Sequence, residues 1–241
     1  MKNTAITLLG AALLLGTTAT YADHHGDKKK AKSEDAVEIF DGKTLKGWSK
    51  STLGSANYSV VDGTILGETV EGSPNTFLIS DAEYGDFELT FEVKVDDGLN
   101  SGVQIRSREK NEEDLKTTGK NGKPAKDLNR LHGPQVEIEK SPGQSGYIYG
   151  EATGRGWISP EPQEKGHSHE FIKNGEWNTY KIVAKGATIS TWINGNHVTD
   201  LTDEAIYESH PKGKIGLQVH GIKKGTGPFK AQWRNIKIKA L

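Results

Sequence analysis

The chain has 241 residues, of which 33% are hydrophobic and 26% charged, and its formal net charge is -1. It is too apolar to be wholly disordered and long enough for one sizeable core, and it lacks the positive field that nucleic-acid binding draws on. It contains no cysteine, which excludes disulfides, thiolate metal sites and a lipid-anchored cysteine at a mature start.

The first residues predict export. Lys2 supplies a basic start, residues 5–15 form a short apolar run, and Thr20-Tyr21-Ala22 offers a small-residue cleavage site. Residues 1–22 therefore read as a secretory signal peptide, because the apolar run is too short to span a bilayer. The mature protein is expected in the periplasm or outside the cell, with no membrane attachment after cleavage. Residues 23–36 carry His24-His25, Lys28-Lys29-Lys30 and Ser33-Glu34-Asp35. Such a stretch buries too little to offset its ordering entropy and reads as a flexible polar tether.

From residue 37 to 241 the pattern is that of short strands and turns. Val37 to Phe40 alternates and ends at Asp41-Gly42. Residues 58–61 and 64–66 flank Asp62-Gly63, a two-residue hairpin signal. Phe87, Leu89, Phe91, Val93 and Val95 share one strand face, with Glu88, Thr90, Glu92 and Lys94 on the other. Asn100-Ser101-Gly102 leads into a strand with Val103 and Ile105 on one side and Gln104, Arg106 and Arg108 opposite. Residues 109–131 break the alternation, as an active-site loop or an unstructured one would. Then comes His132 to Glu139, in which Val136 and Ile138 face one way and Gln135, Glu137 and Glu139 the other. Tyr149 ends the next short strand. A second irregular stretch, from Glu151 to Lys173, holds Arg155, Trp157, His167 and His169. Residues 176–184 and 188–193 are strands, and Asn194-Gly195 turns the latter into another hairpin. Ile215, Leu217 and Val219 alternate with Gln218 and His220. The last strand sets Trp233, Asn235 and Lys237 opposite Arg234, Ile236 and Ile238. Trp48, Trp177 and Trp233 are expected in the core.

Ten or more short strands with almost no helical periodicity predict an all-β fold: a two-sheet antiparallel sandwich or jelly roll. The polar rows of several strands would then meet on one sheet. The residues expected there are Gln104, Arg106, Gln135, Glu137, Glu139, Tyr149, Gln218 and His220, flanked by the two irregular stretches.

Several segments, in order, resemble the 3-keto-disaccharide hydrolase domain family: Ile39-Phe40-Asp41-Gly42-Lys43-Thr44-Leu45-Lys46-Gly47-Trp48, Asn100-Ser101-Gly102 with Arg106, the Gln135-to-Glu139 strand, Glu176-Trp177-Asn178, Asn194-Gly195, Leu217-Gln218-Val219-His220-Gly221 and Arg234-Asn235-Ile236. The resemblance spans residues 37–241. It implies a concanavalin A-like jelly roll, export, and a carbohydrate substrate oxidised at C3, a 3-keto-disaccharide or 3-keto-glycoside. The family's arginine falls on Arg106, and its glutamine and histidine near the C-terminus fall on Gln218 and His220. One departure concerns the central strand, where many members carry Glu then Gln and this chain carries Gln135 then Glu137.

On such a substrate, the C3 ketone acidifies the C2 proton. A base removes it, the C1 substituent leaves by β-elimination, and water adds to the enone. Glu137 is the expected base, His220 a base or acid, and Arg106 the cation for the enolate oxygen. Gln135 and Gln218 would orient hydroxyls and Tyr149 and Trp157 would stack on a pyranose. Gln104, Glu139 and Arg155 complete the expected binding surface. His and carboxylate ligands would suit a divalent cation, but no spacing selects one. A retaining β-glucanase on the same fold is the competing enzyme. It would need a carboxylate where Gln135 stands, and Glu137 and Glu139 would lie about 6.6 Å apart along a strand, against roughly 5–5.5 Å in retaining pairs. A lectin-like module without catalysis would use the same surface.

Overall fold

The computed structural model describes residues 35–117, 127–159 and 168–241. The expected signal peptide, the tether up to residue 34, part of each irregular stretch and His167 lie outside the described residues. In chain order the strands are β1 (Val37–Glu38), β2 (Trp48–Lys50), β3 (Asn57–Val61), β4 (Thr64–Glu68), β5 (Thr76–Ser80), β6 (Phe87–Val95), β7 (Ser101–Glu109), β8 (Leu131–Ile138), β9 (Ile148–Glu151), β10 (Gly156–Trp157), β11 (Asn178–Lys185), β12 (Thr188–Ile193), β13 (Asn196–Thr202), β14 (Lys214–Val219) and β15 (Lys230–Ala240). Two short helices accompany them, α1 (Asp114–Thr117) and α2 (Glu204–Ser209).

The strands form two sheets. One runs β13-β12-β11-β6-β15-β4-β3, with β1 also on β15; the other runs β10-β9-β8-β7-β14-β5-β2. All the strand pairs are antiparallel. The expected all-β sandwich is what the chain adopts. Both two-residue hairpins are present: Asp62-Gly63 joins β3 to β4, Asn194-Gly195 joins β12 to β13, and all four residues have positive φ, as the tight primed turns require.

The core lies between the sheets. Phe87, Leu89, Phe91 and Val93 of β6 meet Val103 and Ile105 of β7, Val136 and Ile138 of β8 and Leu217 of β14 in one buried cluster. Burying a side chain of this size contributes about 1.5–3 kcal/mol. Trp48 and Trp233 are buried there as well. Trp177 is not: it is half-buried on the outer face of the first sheet, beneath Arg234 and Lys94.

Bulges in β7 and β15 break the expected alternation. In β7 the pairing slips by one residue between Gln104 and Arg108, and Arg106 has φ of 48°. In β15 it slips between Arg234 and Lys237, and Asn235 has φ of 51°. An extra residue reverses which face the following side chains take. Trp233, Ile236 and Ile238 therefore all point into the core, although uninterrupted alternation sets Trp233 against the other two.

Candidate active site

β8 lies near the middle of its sheet and all eight of its residues are buried, including those opposite the core. Its polar face is therefore not a solvent-washed surface. Gln135 is 2% exposed and Glu137 6%. Buried polar groups cost free energy unless hydrogen-bonded, and here they bond to each other. Gln218 Nε2 donates to Gln135 Oε1 at 3.1 Å, and Gln135 Nε2 donates to Glu137 Oε2 at 3.2 Å. Asn100 Nδ2 donates to the other carboxylate oxygen.

Sheet order brings these residues together. Gly102 of β7 pairs with Glu137 of β8 on one side and Gln218 of β14 on the other, so the three form one row across the sheet. Gln104, Gln135 and Tyr149 form the adjacent row. A Cβ on Gly102 would lie 2.6 Å from Gln135 Cδ. The glycine of the Asn-Ser-Gly turn thus leaves space for the Gln135 amide to lie between Glu137 and Gln218.

Above this floor is an open cavity of about 200 Å³, lined by Asn75, Asn100, Gln135, Glu137, Tyr149, Glu151, Trp157, Gln218 and His220. Tyr149 and Trp157 pair edge to face, their rings 5.3 Å apart. His220 is half-buried, with Nδ1 2.8 Å from the Gly221 carbonyl. Burial pushes the Glu137 carboxyl up to about 7; the Asn100 and Gln135 amides pull the other way, and the negative charges of Glu139 and Glu151 add to the rise. Burial also raises the Tyr149 phenol, with Glu151 and Glu137 adding to it, so its hydroxyl keeps its proton at neutral pH.

Six of the expected residues meet in this cavity: Glu137, His220, Gln135, Gln218, Tyr149 and Trp157. Four do not line it. The β7 bulge turns Arg106 to the opposite face, where its guanidinium donates to Gly85 O and Gly186 O at 2.7 Å each and to Asp86 at 2.8 Å. Its charge also lies over the Tyr207 ring, 5.2 Å from the centroid. It ties the second sheet to the strand ends of β6 and β11 in the first, away from the cavity where the enolate would form. Glu139 lies just past the end of β8, and its carboxylate accepts from the Gln144 N–H, closing the turn that follows. Arg155 makes a two-pronged pair with Asp203, the N-cap of α2. Gln104 sits beside Gln135 but is fully buried, its Nε2 directed at Leu131 O at 3.3 Å.

Three lining residues carry no role that the strand pattern predicts. Glu151 ends β9 two residues after Tyr149, so continuing that strand's alternation would have placed both on one face. Asn100 belongs to the Asn-Ser-Gly turn but offers no sign of its long-range partner Glu137. Asn75 has no local signal at all. Its Oδ1 accepts from Gly221 N at 2.9 Å and its Nδ2 lies 3.4 Å from Glu151, so it links the segment after β14 to the end of β9. Glu137, Glu151 and His220 are metal-competent types, yet among the described residues no three His, Cys, Asp or Glu side chains are gathered closely enough to hold a metal ion.

Comparisons with known proteins bear on the family and the fold. The model of the 3-keto-alpha-glucoside-1,2-lyase-like domain matches residues 35–239. A Bacteroides thetaiotaomicron protein named 3-keto-disaccharide hydrolase is 24% identical, over 85% of this chain and 78% of that protein. The κ-carrageenase of Pseudoalteromonas carrageenovora, solved with an oligotetrasaccharide of κ-carrageenan, superposes with a TM-score of 0.58 at 10% identity, covering 90% of this chain and 99% of the other. A Bacillus subtilis protein with a galectin-like fold gives 0.56 at 12% identity, covering 87% and 98%. At these identities the two structures carry the fold alone.

Proposed function

The chain belongs to the 3-keto-alpha-glucoside-1,2-lyase-like domain family, and from that premise we propose that it cleaves 3-keto-glycosides by proton abstraction at C2, β-elimination of the C1 substituent and hydration. The observation that carries this reading is Glu137, a buried carboxyl in the cavity, raised to about 7 and held by two amides. A base titrating near neutrality combines a usable ionised fraction with real proton affinity.

The chemistry then follows from the lining. Glu137 takes the C2 proton, and the C–H electron pair passes toward the ketone, whose oxygen becomes an enolate. With Arg106 on the other face, neutral donors must meet that oxygen; Asn75 is placed for it, because its Nδ2 makes only a long contact to Glu151. As the C3 carbonyl re-forms, the C1–C2 double bond appears and the C1–oxygen bond breaks. The departing oxygen takes a proton from Tyr149 or His220. Water then adds across the double bond, hydroxyl to C1 and proton to C2. The net change is hydrolysis.

The amide row suits a carboxyl that changes protonation. Protonated Glu137 is a donor and needs an acceptor. If the Gln135 and Gln218 amides turn together, Gln135 Oε1 accepts from Glu137 and Gln135 Nε2 donates to Gln218 Oε1. That buried oxygen has no other partner among the described residues. The row can therefore satisfy both states.

The test is incubation of the protein and of Glu137→Gln with a glucoside and its 3-keto form, following release of the C1 substituent. Expected are cleavage of the 3-keto form alone and a loss of at least a thousandfold in the variant. Full activity of the variant would overturn the assignment, and binding of both sugars without cleavage would indicate a lectin-like module. Cleavage of the plain glucoside would favour a glucanase, against which stand Gln135 at the nucleophile position and Glu139 committed to its turn.

A further inference from the structure

The outer face of the second sheet is polar only in part. Phe77 and Ile79 of β5 and Leu131 of β8 form an apolar cluster separate from the main core. Phe77 pairs directly with Gln218 of β14, so the row Glu137, Gly102, Gln218 ends in an aromatic ring. Beside that ring lies a second cavity of about 260 Å³, walled by Leu53, Pro74, Phe77 and Leu131 and rimmed by Arg130 and Asp127. Asn75 lines both cavities.

Its apolar wall is held in place. Ser51 N donates to Phe77 O at 2.8 Å and Phe77 N to Ser51 Oγ at 3.0 Å, which clamps the 51–56 loop to β5. Ala56 N donates to Thr76 Oγ1 at 3.1 Å. Gly54, with φ of 86°, lets the loop pass so close that a Cβ there would overlap Thr76. Arg130 joins the two cavities electrostatically: it pairs with Asp127 on the rim and with Glu151, which lines the polar cavity.

We infer that this second cavity receives the C1 substituent of the substrate, and that the preferred substituent is an aromatic ring rather than a second sugar. The inference rests on the proposed function, because it takes the 3-keto sugar to sit over Gln135 and Gln218. A second pyranose would bring hydroxyls against Leu53, Phe77 and Leu131, which offer no hydrogen-bonding side chains. An aromatic ring would bury its surface there and present its face to the Arg130 guanidinium. An apolar cavity of about 150 Å³ is enough to take benzene, so the space suits one ring or a fused pair. Three strand spacings, about 14 Å, separate Phe77 from Glu137 across the sheet. C1 is bonded to C2, so with C2 over Glu137 it is the substituent itself, running past Asn75, that covers this distance.

The test measures Kd by calorimetry for phenyl and methyl 3-keto-α-glucosides, using the slow Glu137→Gln protein so that turnover does not interfere. The phenyl compound is expected to bind at least tenfold more tightly. Leu53→Asp, which charges the wall, and Leu53→Trp, which fills the space, are then introduced into that protein from a half-buried loop position. Each should bring the phenyl-to-methyl ratio to within about threefold, with the melting temperature confirming the fold. Equal affinity for the two compounds, or a tenfold preference that survives both Leu53 changes, would overturn the inference while leaving the sugar site intact. Binding of neither compound would remove the proposed function and the inference with it.

Discussion

Replacing Glu137 by glutamine should make the protein more stable, and more so as the pH rises. The folded carboxyl is raised from its ordinary 4.5 to about 7, mainly because burial disfavours its charge. The folded state therefore binds a proton more tightly than the unfolded one. The stability tied to that proton is fully present below about pH 4.5 and is lost as pH rises through about 7. A difference of this size corresponds to roughly 3 kcal/mol. An amide cannot ionise, so Glu137→Gln escapes the loss while keeping the shape, and its new N–H donates to Gln135 Oε1 once the Gln135 and Gln218 amides turn. At roughly 2–4 °C per kcal/mol for a domain of this length, the melting-temperature difference between variant and parent should be roughly 6–12 °C larger at pH 8 than at pH 4.5. Differential scanning calorimetry of both proteins across that range reads it directly, and the other titrating groups cancel because both proteins carry them. A difference that does not change with pH would refute the reasoning, since Glu137 would then titrate like an exposed carboxyl. The same charge that destabilises the fold above neutrality is the one a C2 base requires.

Three further outcomes are expected. kcat/KM on a 3-keto-glucoside should fall about tenfold per pH unit below about 7 and level off above it, because the base must be ionised; a profile flat from pH 5 to 8 would count against Glu137. Arg106→Ala should cost about 3 kcal/mol or more in chemical denaturation, since it leaves two carbonyls without their donor and empties a buried site, yet the folded variant should keep its turnover. Loss of turnover without loss of stability would restore Arg106 to the site. Gly102→Ala should lower turnover at least tenfold through displacement of Gln135, and a crystal structure of the variant would show whether that amide has moved.

Much of the site was legible locally. Alternation along β8 sorts Val136 and Ile138 from Gln135 and Glu137, and the structure keeps that division. Alternation likewise places Gln218, while Tyr149 ends an expected strand and Trp157 is an aromatic residue in the irregular stretch that follows. Arg106 failed for an equally local reason. Its positive φ at a bulge adds one residue to β7, and nothing in Ile105-Arg106-Ser107 marks it as a bulge in the way a glycine would. Glu139 failed because β8 ends at Ile138, so the following carboxylate serves a turn instead of the sheet face.

The period-two pattern, the hairpins at Asp62-Gly63 and Asn194-Gly195 and the two-sheet class are local properties, because side-chain alternation and turn conformation depend on a few neighbouring residues. Only the tertiary structure decided that β9, β8, β7, β14 and β5 lie side by side. That order brings Asn75, Asn100 and Glu151 to Glu137 and sets an apolar cavity at the end of its row. It also decided the pKa of Glu137, since the desolvation that raises it comes from neighbours far away in the chain, which exclude water from a carboxyl whose own sequence context reads as exposed.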